Sequence, residues 1–113
     1  MNQPVYVSIT GLKLRRIWWM PLFWYHAVAA MTQAKSAPGC LRADARRING
    51  VHHTLTVWDN KASMRAYLTT GAHLRAMPLF HRMATGKTFG FETVDIPDWE
   101  EVHRLWLIRA NSV

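Results

Sequence analysis

The sequence predicts an α+β fold of the ferredoxin-like class, with element order βαββαβ and one further helix at the end of the chain. The chain has 113 residues, which is enough for one hydrophobic core. Some segments alternate apolar and polar residues with period two, and others repeat apolar residues every three or four positions. We therefore expect a single domain over 1–113, with a ferredoxin-like core at 4–94 and a C-terminal helix at 97–108.

The first strand and the first helix have clear patterns. In segment 4–14, Val5, Val7 and Ile9 alternate with polar or aromatic residues, as in a strand with one apolar face. From Ile17 to about residue 37, apolar residues recur at helical spacing, and Pro38 with Gly39 then ends the helix.

Segments 41–48 and 51–58 read as two strands joined by Asn49-Gly50, a strong hairpin signal. A tight two-residue turn would place Arg42, Asp44 and Arg46 on the same face as Leu55 and Val57. One extra residue in the turn would instead place Leu41, Ala43 and Ala45 there. Because hydrophobic pattern normally decides register, the bulged hairpin is the prediction.

The second half of the core repeats the helix and strand patterns. Asp59 or Asn60 is expected to cap a helix that ends near Gly71, and a second helical piece over 72–84 should break or kink at Pro78. A turn over 85–87 and a strand over 88–94 follow. Pro97 then opens the last helix.

A four-stranded sheet with helices on one side leaves its other face uncovered, and the hairpin register decides which residues of the second strand line it. That face is semi-polar and aromatic, and it carries Tyr6, Ser8, Thr10, Arg42, Asp44, Arg46, His52, Thr54, Thr56 and Trp58. Trp58 and Tyr6 are too apolar to remain in water, so we expect a second subunit to close this face and form a homodimer.

Composition excludes several classes of protein. The net charge of +7 would favour binding of polyanions such as nucleic acids. The basic residues are dispersed, however, and the motifs of known nucleic-acid-binding domains are absent, so nucleic acid binding is not expected. A single cysteine, Cys40, fits a reducing compartment, and the prediction is a cytoplasmic protein.

The long uncharged stretch over 17–34 superficially resembles a signal peptide or a membrane anchor. It contains Pro21, His26 and Gln33 and follows a well-patterned strand, so we interpret it as a buried amphipathic helix and expect no membrane partner. Its aromatic residues exceed what one helix face can bury. Subunit contact or a hydrophobic ligand entrance would account for the surplus.

Segment 54–67 (TLTVWDNKASMRAY), followed by 71–77 (GAHLRAM), resembles the strand-helix-His signature of the dimeric α/β-barrel proteins related to antibiotic-biosynthesis monooxygenases. The resemblance covers roughly 1–94. It implies a dimer whose sheets face each other around the substrate, with Trp58 as the characteristic tryptophan of the third strand. The superfamily also holds haem-degrading enzymes, dehydratases and isomerases, so the fold does not settle the activity.

The candidate catalytic residues are His52, Arg42 and Trp58. In a closed pocket an Arg can hold an anionic phenol or enolate oxygen, and a neutral His can take its proton. Candidate ligand-binding residues are Tyr6, Ser8, Thr54, Thr56 and His73. Adjacent His52 and His53 point to opposite faces and cannot chelate one ion, so no metal is predicted.

The resemblance, taken with these residues, implies a monooxygenase-like enzyme or binder for a small hydrophobic, oxygen-bearing compound, held in a cavity between sheet and helices. No nucleotide-binding motif occurs, so no cofactor is expected. A non-catalytic ligand-binding or haem-binding structural dimer is the alternative. In a simpler interpretation, Arg42 and Asp44 form an edge-strand ion pair and Trp58 fills an interface.

Overall fold

The computed structural model describes residues 3–112. Its elements are β1 (Val5–Leu14), a 3₁₀ turn (Ile17–Trp19), α1 (Met20–Ser36), β2 (Cys40–Ile48), β3 (Val51–Trp58), α2 (Lys61–Leu68), α3 (Gly71–Met83), β4 (Ala84–Thr93), α4 (Trp99–Arg109) and β5 (Asn111–Ser112). The strands form one antiparallel sheet in the order β2-β3-β1-β4-β5. The predicted α+β ferredoxin-like class and the additional C-terminal helix are confirmed.

Local differences from the prediction lie mainly between α3 and β4. The predicted turn over 85–87 is wrong, because β4 begins directly after α3 and these residues pair with the end of β1. The predicted break at Pro78 is also absent, and α3 continues through it. Pro78 and Leu74 both lie on the exposed side of α3, where water can hydrate the carbonyl that proline leaves without a donor.

The predicted bulge in the β2–β3 hairpin is wrong. Ile48 pairs with Val51, so Asn49-Gly50 is a two-residue turn, with φ of 51° at Asn49 and 78° at Gly50. Positive φ at both positions is what a tight type I′ turn requires. The register instead shifts between Cys40 and Arg42, at the far end of the hairpin.

The positions of the helices reverse the predicted assignment of the two sheet faces. The face with Tyr6, Ser8, Thr10, His52, Thr54, Thr56 and Trp58 lies under α1, α2 and α3, and we call it the inner face. The opposite, outer face carries Val7, Ile9, Leu55 and Val57 and packs against α4. Helices therefore lie on both faces of the sheet. Tyr6 and Trp58, which motivated a dimer through an open face, lie beneath the helices.

Two aromatic contacts fix α4 to the outer face. The Trp106 Nε1 donates a hydrogen bond to the carbonyl of Lys87 at 2.9 Å. Its ring lies directly over Gly11, where an added Cβ would stand 2.3 Å from a ring carbon. Glycine at this position therefore allows the close approach of helix and sheet. Asp98 caps α4 by accepting from the Glu101 amide at 2.9 Å.

Candidate functional site

A cavity of about 500 Å³ lies between the inner face and α1, α2 and α3. Its walls are mostly apolar and include Phe23, Trp24, Met31, Met64, Met77 and Phe80. Its floor is the central part of the sheet, where Ser8, Thr10, Thr54, Thr56 and Thr88 present hydroxyl groups. A concave apolar site with a few polar groups is typical of small-molecule binding.

Hydrogen bonds orient part of the hydroxyl floor. Thr88 Oγ1 donates to the carbonyl of Ile9 at 3.0 Å and lies 3.1 Å from Thr10 Oγ1. Since the Thr88 proton is already committed, the Thr10 hydroxyl is the donor of this pair, and its lone pairs remain to accept. The lone pairs of Thr10 can therefore accept from a ligand hydroxyl, while the hydroxyls of Ser8, Thr54 and Thr56 can donate to a ligand oxygen.

His52 stands at the end of the floor nearest the hairpin. Its ring lies 4.8 Å from that of Phe23 and 6.0 Å from that of Trp24, between centroids. Arg47 is its partner across the β2–β3 ladder, and both residues line the cavity. Burial, together with the Arg47 charge, lowers the pKa of His52 below its ordinary value. His52 is therefore neutral at pH 7 and able to accept a proton.

His73 reaches the cavity from the first turn of α3. Its ring contacts that of Tyr67 in a tilted arrangement, with centroids 4.8 Å apart, and its backbone amide donates to Gln33 Oε1 at 2.7 Å. Its Nδ1 is buried without a hydrogen-bond partner among the residues the structure describes. Burial lowers the pKa of His73, so this second imidazole is also neutral.

Trp58 and Tyr6 lie beyond the cavity rather than along it. They pair across β1 and β3 and pack in a cluster with Met64 and Tyr67. Trp58 is 0% exposed, and its ring packs on Tyr67 at 5.2 Å. Along an extended strand, Trp58 and His52 are separated by roughly 20 Å. The structure does not bring these two candidates together.

Arg42 is on the outer face, so the prediction that it shares a face with His52 and Trp58 is wrong. It pairs with Val57 in the ladder and forms a partly exposed ion pair with Asp44. The cationic side chain beside His52 is Arg47, which sequence reasoning missed. The signal was present: a two-residue turn at Asn49-Gly50 pairs Arg47 with His52 directly. Among the predicted site residues, those that line the cavity are His52, Ser8, Thr54, Thr56 and His73.

Residues 3–112 contain no group of three or more His, Cys, Asp or Glu side chains that could hold a metal ion. Within the same residues, no helix is both long and apolar enough to cross a membrane.

Comparison with known proteins places the fold. No family model matches the sequence, and no curated protein matches it. The solved structure of SnoaB, a cofactor-independent oxygenase from Streptomyces nogalater, superposes with a TM-score of 0.70 at 13% identity, covering 85% of this chain and 100% of that one. A putative antibiotic biosynthesis monooxygenase from Nitrosomonas europaea gives 0.70 at 13% identity, with 85% and 93% covered.

A further structure, described as an antibiotic biosynthesis monooxygenase, gives a TM-score of 0.65 at 13% identity and covers 80% of this chain and 99% of that one. The chain thus has the ferredoxin-like fold of antibiotic biosynthesis monooxygenase-like proteins over most of its length. At such identities the likeness concerns the fold and leaves the chemistry to the site.

Proposed function

We propose that the protein is a cofactor-independent, monooxygenase-like enzyme for a hydrophobic compound bearing a phenol or enol oxygen. The observation that carries the proposal is the cavity itself: apolar walls, a hydroxyl floor, and neutral His52 beside cationic Arg47. The likeness of fold to a cofactor-independent oxygenase supports the same reaction class.

The proposed reaction begins with proton abstraction. A substrate carbon with two hydrogens, activated by an adjacent phenol or enol system, loses one proton to the imidazole of His52. Arg47 and hydroxyl groups of the floor stabilise the negative charge that develops on the substrate oxygen. The exclusion of water by the aromatic walls strengthens these interactions.

Oxygen then reacts with the carbanion directly. A C–O bond forms as O₂ accepts electrons from the substrate, and the proton held by His52 converts the peroxide anion to a hydroperoxide. Loss of water from this hydroperoxide leaves a carbonyl group. One oxygen atom enters the product and the other leaves as water, and because all four electrons come from the substrate, no external reductant is required.

Oxygen uptake with a panel of anthrone-type polycyclic phenols, each with a CH₂ carbon next to the phenolic ring, tests this proposal. We expect consumption of O₂ without added cofactor and incorporation of one atom from ¹⁸O₂ into the product. His52→Gln should reduce kcat by about 10²- to 10⁴-fold, as expected for loss of a general base. His26→Gln is the matched control, because His26 lies on α1 outside the cavity lining, and it should retain full activity.

A ligand that binds the cavity tightly without any oxygen uptake would instead identify a non-catalytic binder. A visible absorption band that appears on addition of haem, and that His73→Ala abolishes, would support the haem-binding alternative. Both results would contradict the oxygenase proposal.

We also propose a cytoplasmic homodimer that uses the outer side of the molecule. The support is the exposure of Leu107 and Ile108 on α4, the helix that covers the outer face. Sedimentation velocity should give a dimer at micromolar concentration and a monomer for Leu107→Glu/Ile108→Glu. A wild-type monomer at that concentration would refute the dimer.

A further inference from the structure

The first helical region exposes an unusual number of large apolar side chains. Ile17 is 82% exposed, Trp18 69% and Tyr25 70%. With them stand Leu22, Trp24 and Val28, and we call these six residues the aromatic patch. Isolated exposed apolar residues are ordinary, but a contiguous set marks a surface that contacts something other than water.

The helical part of the aromatic patch forms one continuous side of α1. At about 100° per residue, Leu22, Tyr25, Val28 and Trp24 fall within roughly 160° of the helix circumference. Phe23, Ala30 and Ala34 occupy the opposite side and are buried against the domain. The helix is thus apolar on both sides, and Lys35 in its last turn is its only Lys, Arg, Asp or Glu residue. Such helices are buried in protein or contact lipid.

Cationic side chains border the aromatic patch. Lys13, Arg15 and Arg16 immediately precede it and are exposed, and the Arg16 guanidinium lies 6.0 Å from the Trp18 ring centroid. A groove next to the 3₁₀ turn brings Lys13 and Arg47 together with Ile17 and Met20. The whole chain carries a net charge of +7. Two copies meeting through this surface would bring like charges together, whereas an anionic surface would complement them.

The aromatic patch also borders the cavity. Trp24 and Val28 are both exposed to solvent and part of the cavity lining. His52 lies 6.0 Å from the Trp24 ring and lines both the cavity and the cationic groove. The aromatic patch therefore includes residues that wall the cavity.

We propose that the aromatic patch and its cationic border bind the surface of an anionic lipid membrane. Tryptophan and tyrosine favour the headgroup region, isoleucine and leucine the acyl boundary just below it, and lysine and arginine the anionic lipids. The chain would lie on the membrane without spanning it. This proposal departs from the sequence-based expectation of no membrane partner. The further consequence, that a hydrophobic substrate enters the cavity from the bilayer, rests on the proposed function.

Vesicle binding tests the membrane proposal independently of any activity. The wild-type protein is mixed with large unilamellar vesicles of phosphatidylcholine alone or with 30% phosphatidylglycerol, and bound protein is measured by co-sedimentation. We expect binding at least tenfold tighter to the anionic vesicles, a blue shift of tryptophan emission, and weaker binding in 0.5 M NaCl because salt screens surface charges.

Paired variants separate the aromatic patch from other exposed groups. Ile17→Ser/Trp18→Ser and Arg15→Gln/Arg16→Gln should each weaken binding at least tenfold. The controls Leu74→Ser/Val94→Ser and Arg75→Gln/Arg82→Gln alter exposed residues outside the aromatic patch, its border and the proposed dimer surface, and they should bind within twofold of wild type. Because all altered side chains are exposed, thermal unfolding should confirm that each variant folds.

Several results would overturn the proposal. These are failure of the wild type to bind anionic vesicles, equal loss of binding in the control variants, and a dimer in solution that Ile17→Ser/Trp18→Ser dissociates. The last result would assign the surface to a second copy. Vesicle binding in a protein that consumes no oxygen would leave the membrane proposal standing while refuting the proposed function.

Discussion

The two faces of the sheet are built from alternate residues of the same strands, yet they pack in opposite ways. On the outer face, Val7, Ile9, Leu55 and Val57 interdigitate with Val102 and Trp106 of α4. On the inner face, the central positions are Ser8, Thr54 and Thr56, and a cavity of about 500 Å³ remains above them. One face is filled and the other is hollow.

Side-chain size explains the difference. Serine and threonine are too short to reach α1, α2 and α3 from the middle of the sheet, so those helices pack against it mainly at one end. There Tyr6 and Trp58 meet Ala34, Met64 and Tyr67. The outer face therefore carries much of the stability of this domain, whereas the inner face leaves space for a ligand.

The largest expected effect is on the filled face. Trp106→Ala should lower the free energy of unfolding by about 3 to 5 kcal/mol, because it leaves a large void above Gly11 and removes the hydrogen bond to Lys87. Trp18→Ala, at an exposed tryptophan, should change it by less than about 0.5 kcal/mol. Urea denaturation measures both, and equal losses would contradict the comparison.

A chain of hydrogen bonds also crosses the filled face, and its proton positions follow from donor chemistry. His53 Nδ1 lies 3.3 Å from the Thr10 carbonyl, which can only accept, so His53 carries its proton on Nδ1. His53 Nε2 therefore accepts from His103 Nδ1 at 2.8 Å, and His103 Nε2 accepts from the Asn49 side-chain amide at 3.4 Å. Protonation of His53 on Nε2 would remove the acceptor of the His103 Nδ1–H group and break this chain of hydrogen bonds.

Acid should therefore destabilise the filled face. Burial above all lowers the pKa of His53 from 6.5 to about 4, so between these values the unfolded chain binds a proton that the folded chain does not. Stability is full above pH 6.5 and falls as the pH decreases toward 4, by up to about 3 kcal/mol. Denaturation from pH 7 to pH 4 measures this loss.

Substitution of single histidines shows which group causes the pH dependence. His53→Gln should reduce the dependence of unfolding free energy on pH, although burial at His52 and His73 leaves a remainder. His81→Gln, at an exposed position near the end of α3, should keep the wild-type profile. A profile unchanged in His53→Gln would show that His53 is not the titrating group.

Substitutions that enlarge one side chain on each face should have different effects. Thr54→Leu projects into the cavity and should change the unfolding free energy by less than about 1 kcal/mol, while weakening ligand binding at least tenfold because it occupies ligand space. Val57→Phe enlarges a side chain in the filled core, where overpacking costs about 1 to 3 kcal/mol. Calorimetry and ligand titration distinguish the two; a large destabilisation by Thr54→Leu would mean that the inner face is not hollow.

Much of the fold was predictable because local patterns agree with it. β3 has the predicted bounds, and Asn60 caps α2 as one of the two expected residues, by accepting from the Ser63 amide. The register of the β2–β3 hairpin was not predictable from hydrophobic pattern, which normally decides it. β2 is an edge strand, so Arg42 and Asp44 remain partly exposed to water on the outer face and their charges cause no conflict there.

Two separate errors explain why the candidate site was only partly predicted. The wrong hairpin register placed Arg42 on the inner face and Arg47 off it. The hydroxyl row was assigned to an open face because the helices were expected to cover the apolar side of β1 and β3, which α4 covers instead. The histidines and hydroxyls of the site were still found, because alternation along β1 and β3 does not depend on the turn. The covering of the outer face by α4 is a long-range contact that no local pattern encodes.

The smallest expected effect on stability tests this correction. Arg42→Ala removes a partly exposed ion pair with Asp44 on the outer face, so it should cost about 0 to 1 kcal/mol and leave ligand affinity unchanged. Arg47→Ala should also cost little stability, because Arg47 is exposed, yet it should weaken binding of an anionic phenolate at least fivefold through loss of its charge beside His52. Arg47→Lys should restore part of that affinity, since it keeps the charge. Titration of a fluorescent naphtholate into the three variants measures these affinities, and a loss of affinity in Arg42→Ala with none in Arg47→Ala would return the functional arginine to the outer face.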